Sequence, residues 1–157
     1  DVFTIDFPQN ITQVHFIKLR LFDTKGKEVA NTFYWRSNDK YEGRKTLTGP
    51  TSSGFEDLSK LKQVQLKTRY KAYQEGDRHF IKAEIKNPSS TVAFFTQLQL
   101  LGQDKKPVRP SFYTDNFFSL LPGESKTVII ETATDDMPSE PTFVVKGWNI
   151  QSSSFKL

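Results

Sequence analysis

Apolar and polar residues alternate through most of this 157-residue chain, and this alternation limits the possible fold more than any other feature. In the runs 64–71 and 81–86, charged residues occupy every second position from Lys67 and from Lys82 onward, and most of the residues between them are apolar or aromatic. A period of two is typical of a strand that buries one face, and no long window carries the apolar stripe of a helix. The sequence therefore predicts an all-β protein.

Nine strands are predicted, and turn residues separate them. Gly26, Gly76 and Gly123 provide the positive φ that tight turns need, and Pro122 fixes the first corner of the turn before Gly123. Asn87-Pro88-Ser89-Ser90 forms a further corner. The predicted strands are Val2–Asp6, Gln13–Phe22, Glu28–Arg36, Val64–Tyr73, His79–Lys86, Val92–Leu101, Asn116–Leu121, Lys126–Thr132 and Thr142–Trp148.

Composition and charge exclude several classes of function. The chain has no cysteine, which excludes disulfides, thiol nucleophiles and cysteine-ligated metals. The net charge of +4 does not indicate a nucleic-acid partner, because the charges fall on alternate strand positions and no recognition motif accompanies them. No window approaches the roughly 18 apolar residues of a membrane span. We expect neither nucleic acid nor a membrane as partner.

Titratable residues do not form a recognisable catalytic or metal-binding motif. The two histidines, His15 and His79, lie in different predicted strands, and zinc needs three or four convergent ligands. A carboxylate pair is conceivable among the acidic residues, but a solvated turn explains adjacent aspartates more simply. These acidic residues are Asp115, Glu124, Asp135 and Asp136. The sequence thus predicts no catalytic residue, no metal and no cofactor.

Aromatic residues, at 13% of the chain, are the stronger candidates for a site. Neighbouring residues in a strand point to opposite faces, so we expect one member of each aromatic pair in the core and the other at a domain seam or on the surface. The pairs are Phe94-Phe95, Phe112-Tyr113 and Phe117-Phe118. The candidate binding residues, at a domain seam or on a sugar-stacking platform, are Phe33, Tyr34, Trp35 and Trp148.

The segment between Ser37 and Gln63 interrupts the strand pattern and divides the chain. It begins with loop residues such as Gly, Pro, Ser and Thr and contains a short helical turn at 55–61. We expect residues 1–36 to be the last strands of a truncated domain, 37–58 a linker, 59–150 a complete sandwich and 151–157 a tail. The chain begins without Met, and we expect it to have been cut from a larger precursor.

The predicted inner faces of the sandwich combine residues from five of the predicted strands. They are Val64, Leu66, Tyr70, Ile81, Ala83, Ile85, Phe94, Leu98, Leu100, Val128, Ile130, Phe143 and Val145. In the first segment, Ile17, Leu19, Leu21 and Phe33 would lack half of their sandwich. We therefore expect these four to pack on the second domain or to pair with a second copy through an open edge.

The run 15–36 contains Gly26-Lys27-Glu28-Val29 and Asn31-Thr32-Phe33-Tyr34-Trp35. It resembles a strand pair in the penultimate immunoglobulin-like domain of family two glycoside hydrolases, in the β-mannosidase and exo-β-glucosaminidase branch. The last sandwich is similar in three motifs that occur in the same order. They are Ala93-Phe94-Phe95, then the run 115–124 ending in Leu121-Pro122-Gly123-Glu124, and Gly147-Trp148-Asn149.

The resemblance implies an immunoglobulin-like β-sandwich at the C-terminal side of a retaining β-glycosidase. Enzymes of that family carry both catalytic glutamates on a (β/α)8 barrel, and no segment of this sequence matches the barrel. The relatives tend to carry a Trp- or Tyr-bearing linker around 41–54, where Tyr41 stands in this chain. The expected partners are the barrel and the neighbouring sandwich, and the expected compartment is the periplasm or the exterior.

Two functions remain open from the sequence. The first is a non-catalytic accessory or scaffold domain of a β-mannosidase or exo-β-glucosaminidase. The second is a carbohydrate-binding module that holds the enzyme on a polysaccharide, for which Trp35 and Trp148 would supply the ring faces.

Overall fold

The computed structural model describes residues 6, 8–38 and 54–157, which divide into two compact units. The first unit is Asp1–Leu61 and the second is Lys62–Leu157. The predicted strand Val2–Asp6 and most of the predicted linker lie outside the described residues. The division falls three residues after the linker end predicted at Leu58.

The first unit contains an antiparallel hairpin of β1 (Val14–Phe22) and β2 (Glu28–Ser37). Its turn is stabilised by the Asp23 carboxylate, which accepts hydrogen bonds from the backbone N–H groups of Lys25 and Lys27, each at 2.9 Å. Gly26 adopts a φ of 77°, as predicted for this hairpin. A 3₁₀ helix follows at Glu56–Lys60, where the sequence indicates a short helical turn.

The second unit is a sandwich of two four-stranded sheets. One sheet has the order β3-β4-β8-β6 and the other has the order β10-β9-β5-β7. The strands are β3 (Lys67–Glu75), β4 (Arg78–Lys86), β5 (Ala93–Leu101), β6 (Phe112–Tyr113), β7 (Phe118–Leu120), β8 (Ser125–Ala133), β9 (Thr142–Gly147) and β10 (Ile150–Lys156).

The distribution of strands between the sheets is that of an immunoglobulin sandwich. Strands β3, β4 and β8 correspond to A, B and E, and β5, β9 and β10 correspond to C, F and G. The chain enters through a bridge in which Val64 N–H donates to the Asn149 carbonyl at 2.8 Å, parallel to β10. It then crosses to the opposite sheet as β3. The predicted strand Val64–Tyr73 is therefore divided between the two sheets.

The core lies between the sheets and draws on both. Twelve of the thirteen predicted inner-face residues are buried, and the exception is Tyr70, which is 38% exposed. Tyr70 lies on the edge strand β3, where its ring packs against Phe155 at 5.3 Å and its hydroxyl donates to the Lys156 carbonyl at 3.0 Å. An edge position keeps the polar end of this side chain at the rim.

Residues 151–157 are not a tail, which corrects the sequence prediction. Six of them continue β10, which pairs antiparallel with β9 and places Phe155 beside Phe143. The Ser-rich run 152–154 lacks an apolar alternation, so only the pairing with β9 indicates a strand. The two-residue strand β6 was also missed, because it is too short for a periodic signal.

Candidate functional site

The three hairpin candidates do not share one surface. The register pairs Phe16 with Trp35 and Lys18 with Phe33, so Phe33 and Trp35 face one side, where the Phe16 and Phe33 ring centroids are 5.6 Å apart. Tyr34 pairs with Ile17 on the other side. Phe33 is therefore not on the same face as Ile17, Leu19 and Leu21, with which it was grouped.

The fourth candidate, Trp148, lies at the turn between β9 and β10 and is 57% exposed. A Cβ atom on Gly147 would approach the Ile150 Cδ1 atom to 2.5 Å and the Phe95 carbonyl to 2.9 Å, so only glycine fits there. Asn149 is buried, accepts a hydrogen bond from Phe94 N–H and donates to two carbonyls. The flanking residues of the Gly-Trp-Asn motif thus hold the turn that presents Trp148.

A second exposed aromatic, Phe95, lies on a β-bulge beside that turn. Strands β5 and β7 pair Ala93 with Leu120 and Thr96 with Phe118, which leaves two residues of β5 opposite one of β7. Phe95 adopts a φ of 56° in this bulge, and its N–H donates to the Ser119 hydroxyl at 3.2 Å. The bulge turns Phe95 outward, while Phe94 is buried.

A third exposed aromatic, Phe117, is held by the side chain of Asn116. The Asn116 amide accepts a hydrogen bond from Leu98 N–H at 2.8 Å and donates to the Leu98 carbonyl at 3.0 Å, in the manner of a neighbouring strand. Phe117 has a φ of 57°, which a bulky residue rarely adopts. Its ring centroid is 5.5 Å from that of Phe95.

We call Phe95, Phe117 and Trp148 the aromatic platform, because all three are exposed and their backbones are adjacent. Trp148 N–H donates to the Phe94 carbonyl at 3.1 Å, which joins the β9–β10 turn to the bulge. Each left-handed Phe costs roughly 1–3 kcal/mol, and such strain concentrates at binding surfaces. The sequence predicted one buried member in each Phe pair, as observed for Phe94 and Phe118, but not the backbone that presents their neighbours.

The acidic candidates have structural partners and do not converge on a site. Asp115 forms an ion pair with Lys126, and Glu124 accepts a hydrogen bond from Leu121 N–H at 2.9 Å. Asp135 and Asp136 lie in a 3₁₀ turn at Thr134–Asp136. Within 8–38 and 54–157, no group of three or more metal-ligating side chains occurs, and no helix is long and apolar enough to cross a membrane.

The shifted pKa values have local causes. The hydrogen bond from Lys60 to Asp57 raises the pKa of Lys60, and the backbone N–H of Lys106 lowers the pKa of Asp104. Burial raises the pKa of Tyr113, whose hydroxyl accepts a hydrogen bond from Leu100 N–H at 3.0 Å. These groups lie in separate loops and strands, and local contacts or burial explain each shift.

The chain matches known proteins over most of its length. The family model of the exo-β-D-glucosaminidase Ig-fold domain matches residues 46–150. An exo-β-D-glucosaminidase of Streptomyces avermitilis is 30% identical over 149 residues, which cover 88% of this chain and 16% of the relative. One of Amycolatopsis orientalis is 29% identical over 158 residues, which cover 93% and 15%. The chain spans about a sixth of the length of these relatives.

Solved structures share the fold. The exo-chitosanase CsxA of Amycolatopsis orientalis superposes with a TM-score of 0.83 at 23% identity, covering 99% of this chain and 20% of that chain. The same enzyme, in work on its inhibition by a glucosamine-configured castanospermine, gives a TM-score of 0.82 at 25% identity, covering 99% and 19%. The predicted resemblance and the predicted immunoglobulin-like sandwich are both confirmed. The chain therefore belongs to the family of exo-β-D-glucosaminidase Ig-fold domains.

Proposed function

We propose that this chain is a non-catalytic scaffold domain of a retaining β-glycosidase of the exo-β-glucosaminidase type, acting in carbohydrate metabolism. The observation that carries the proposal is the family match over residues 46–150, in a chain that spans about a sixth of its curated relatives. Those relatives are named exo-β-D-glucosaminidases. Of the two enzyme types that the sequence resembles, the proposal therefore names the exo-β-glucosaminidase and not the β-mannosidase as the parent.

The roles of the acidic residues support a non-catalytic function. A retaining glycosidase needs two carboxyl groups about 5–5.5 Å apart, one of them kept protonated. Asp115 is instead held by Lys126, and Glu124 closes the turn at Pro122-Gly123.

The hairpin supports the view that residues 1–36 complete a neighbouring sandwich in the parent enzyme. Ile17, Leu19, Leu21 and Tyr34 occupy one of its faces, while Phe16, Phe33 and Trp35 occupy the other. A two-stranded sheet with apolar residues on both faces cannot bury them by itself. We expect strands of the parent to cover one face, and self-association through the open edge is the alternative for the isolated chain.

The aromatic platform is the part of the sandwich that we expect to contact the parent, either the catalytic barrel or the preceding domain. Three exposed aromatic residues on backbone segments that are hydrogen-bonded or in ring contact suit a constant contact within one polypeptide. Rigid anchors lose little conformational entropy when they dock.

Activity of the purified chain tests the non-catalytic role. We expect no turnover of p-nitrophenyl β-D-glucosaminide, with the buffer alone as the reference. Turnover that a single substitution in this chain abolishes, for example Asp115→Asn or Glu124→Gln, would contradict the proposal.

A carbohydrate-binding module is the second candidate, because exposed rings also stack on sugars. Glucosamine oligomers titrated into the chain would then shift the fluorescence of Trp148, and Phe117→Ala would remove part of the shift. An unchanged spectrum at millimolar sugar favours the scaffold role. Substitutions of Tyr34 and Trp35, in the hairpin of the first unit, provide the controls that match Phe117→Ala.

A further inference from the structure

The outer face of the sheet β3-β4-β8-β6 carries more cations than anions. Strand register aligns the residues in rows: Lys67 with Lys86, Arg69 with Glu84, and Lys71 with Lys82. All six side chains are exposed. We call the five basic residues of these rows, Lys67, Arg69, Lys71, Lys82 and Lys86, the cationic face.

Two of the three rows place like charges directly opposite each other. Lys67 faces Lys86 and Lys71 faces Lys82 across the β3–β4 pair, an arrangement that destabilises a sheet. In the described ranges, none of the ion pairs involves a residue of the cationic face. Glu84 is the one anion in the three rows, which leaves an excess of positive charge that a bound anion would offset.

An aromatic row lies next to the cations on the same face. Tyr73 pairs with Phe80, their rings are stacked at 5.3 Å, and the Lys71 ammonium lies 6.0 Å from the Tyr73 ring. The row continues through Glu131 of β8 to Phe112 of β6, whose ring is exposed. Arg78 neutralises Glu131 in an ion pair of 2.6 Å, so this row adds no free negative charge.

We propose that this face binds an acidic polysaccharide, whose carboxylate or sulfate groups pair with the cations and whose sugar rings pack on the aromatic row. Residues on one strand face repeat every 6.6–6.8 Å, about 13 Å from Lys67 to Lys71, so the cations form an extended flat array suited to a linear polymer. Charge complementarity selects a polyanion, and the choice of a sugar polymer over a nucleic acid rests on the family match, because the relatives are named exo-β-D-glucosaminidases.

This site is separate from the sugar-binding alternative for the aromatic platform. A glucosamine polymer carries protonated amines, and the cationic face would repel it. The platform belongs to the β5–β7 edge and the β9–β10 turn of the other sheet. Binding at the two surfaces therefore responds in opposite ways to the charge of the polymer, and failure of one proposal does not decide the other.

Titration calorimetry with the whole chain tests the proposal, with polygalacturonate as the carboxylated probe, dextran sulfate as the sulfated probe and dextran as the neutral reference. We expect binding to at least one acidic polymer, weakening from about 10 mM to about 150 mM salt, and none to dextran.

Lys71→Gln with Lys82→Gln should weaken binding by about fivefold per lysine at low salt. The charge-matched control, Lys25→Gln with Lys156→Gln, removes two exposed lysines outside this face and should change affinity less than about twofold.

Three results would overturn the proposal. They are no binding at low salt, equal weakening by the control pair, and tighter binding of oligo-dT than of either acidic polysaccharide at the same salt. The third would assign the face to nucleic acid. Because the replaced side chains are exposed and repel each other, the thermal midpoint of the Lys71/Lys82 variant should be unchanged or raised, so a loss of binding cannot be ascribed to misfolding.

Discussion

The hairpin and the sandwich are built from the same kind of sequence, yet they bury it very differently. In β1 the alternating residues Leu19 and Leu21 are 46% and 62% exposed, whereas Leu98 and Leu100 of β5 are 0% and 1% exposed. Both segments have the period of a half-buried strand. The difference is that β5 faces a second sheet and the hairpin is a two-stranded sheet. Alternation thus identifies a strand and its faces, and the opposing layer determines the burial.

The largest expected effect separates these two regions directly. Leu98→Ala removes a fully buried side chain from the core and should lower the free energy of unfolding by about 3–5 kcal/mol. Leu19→Ala, the matched change in the hairpin, should cost less than about 0.5 kcal/mol. Urea unfolding followed by Trp fluorescence measures both. Equal costs would mean that the hairpin is buried in solution and would end the comparison.

A second prediction concerns how tightly the sandwich is packed at its aromatic turn. Gly147→Ala places a methyl group within 2.5–3.1 Å of Ile150 and two carbonyl oxygens and should cost about 1–3 kcal/mol. Gly102→Ala is the control, because its Cβ would meet its nearest atom at 3.4 Å. Its free energy of unfolding should remain within about 0.5 kcal/mol of the parent value. A tolerated Gly147→Ala would show that the turn is adjustable.

A third prediction tests whether the left-handed backbone of Phe117, in the aromatic platform, lowers the stability of the fold. Phe117→Asn replaces an exposed, left-handed Phe with a residue that tolerates this conformation, and should stabilise the chain by about 0.5–1 kcal/mol. Phe112→Asn is the matched control, an exposed Phe on β6 without positive φ, and should give no gain. Thermal unfolding compares the two variants. A loss of stability in Phe117→Asn would mean that its ring contributes to folding.

The smallest expected effect is a pH dependence confined to the sandwich. Burial raises the pKa of Tyr113 above its ordinary value of 10, so the folded state holds this proton more tightly than the unfolded state. The resulting stability is complete below about pH 10 and is lost as the pH rises toward the folded pKa. Unfolding from pH 8 to 11 should show this loss, and Tyr113→Phe should reduce its slope. An unchanged slope in the variant would assign the loss to other groups.

Most of the sandwich could be predicted from local patterns, and the exceptions share a cause. Strands β4, β5 and β8 have clear alternation, and each of their predicted ends lies within one residue of the observed end. Strand β10 has no such pattern, and it exists because β9 offers it a hydrogen-bonding edge. Tyr70 follows the inner-face pattern but lies at the rim, because β3 is an edge strand. In each case a neighbouring strand decided what the local sequence did not specify.

The candidate site was harder to predict for the same reason. Trp148 could be selected from the sequence as an aromatic residue at the end of a predicted strand and in the Gly-Trp-Asn motif, but Phe95 and Phe117 could be named only as members of pairs. Their left-handed backbones depend on a bulge opposite Ser119 and on the Asn116 amide bound to Leu98. No local preference of phenylalanine predicts that conformation.

The amino-acid sequence by itself determined the all-β class, the glycine turns, the inner faces of the sandwich and the family, because these depend on residue period, on φ preferences and on motif order. The tertiary structure alone decided which alternating strands are buried, where the bulge turns Phe95 outward, and that Lys67 and Lys71 stand opposite Lys86 and Lys82. The physical reason is that burial, strain and charge repulsion arise between pairs of segments. The residue pattern of one strand does not specify which distant strand will pair with it.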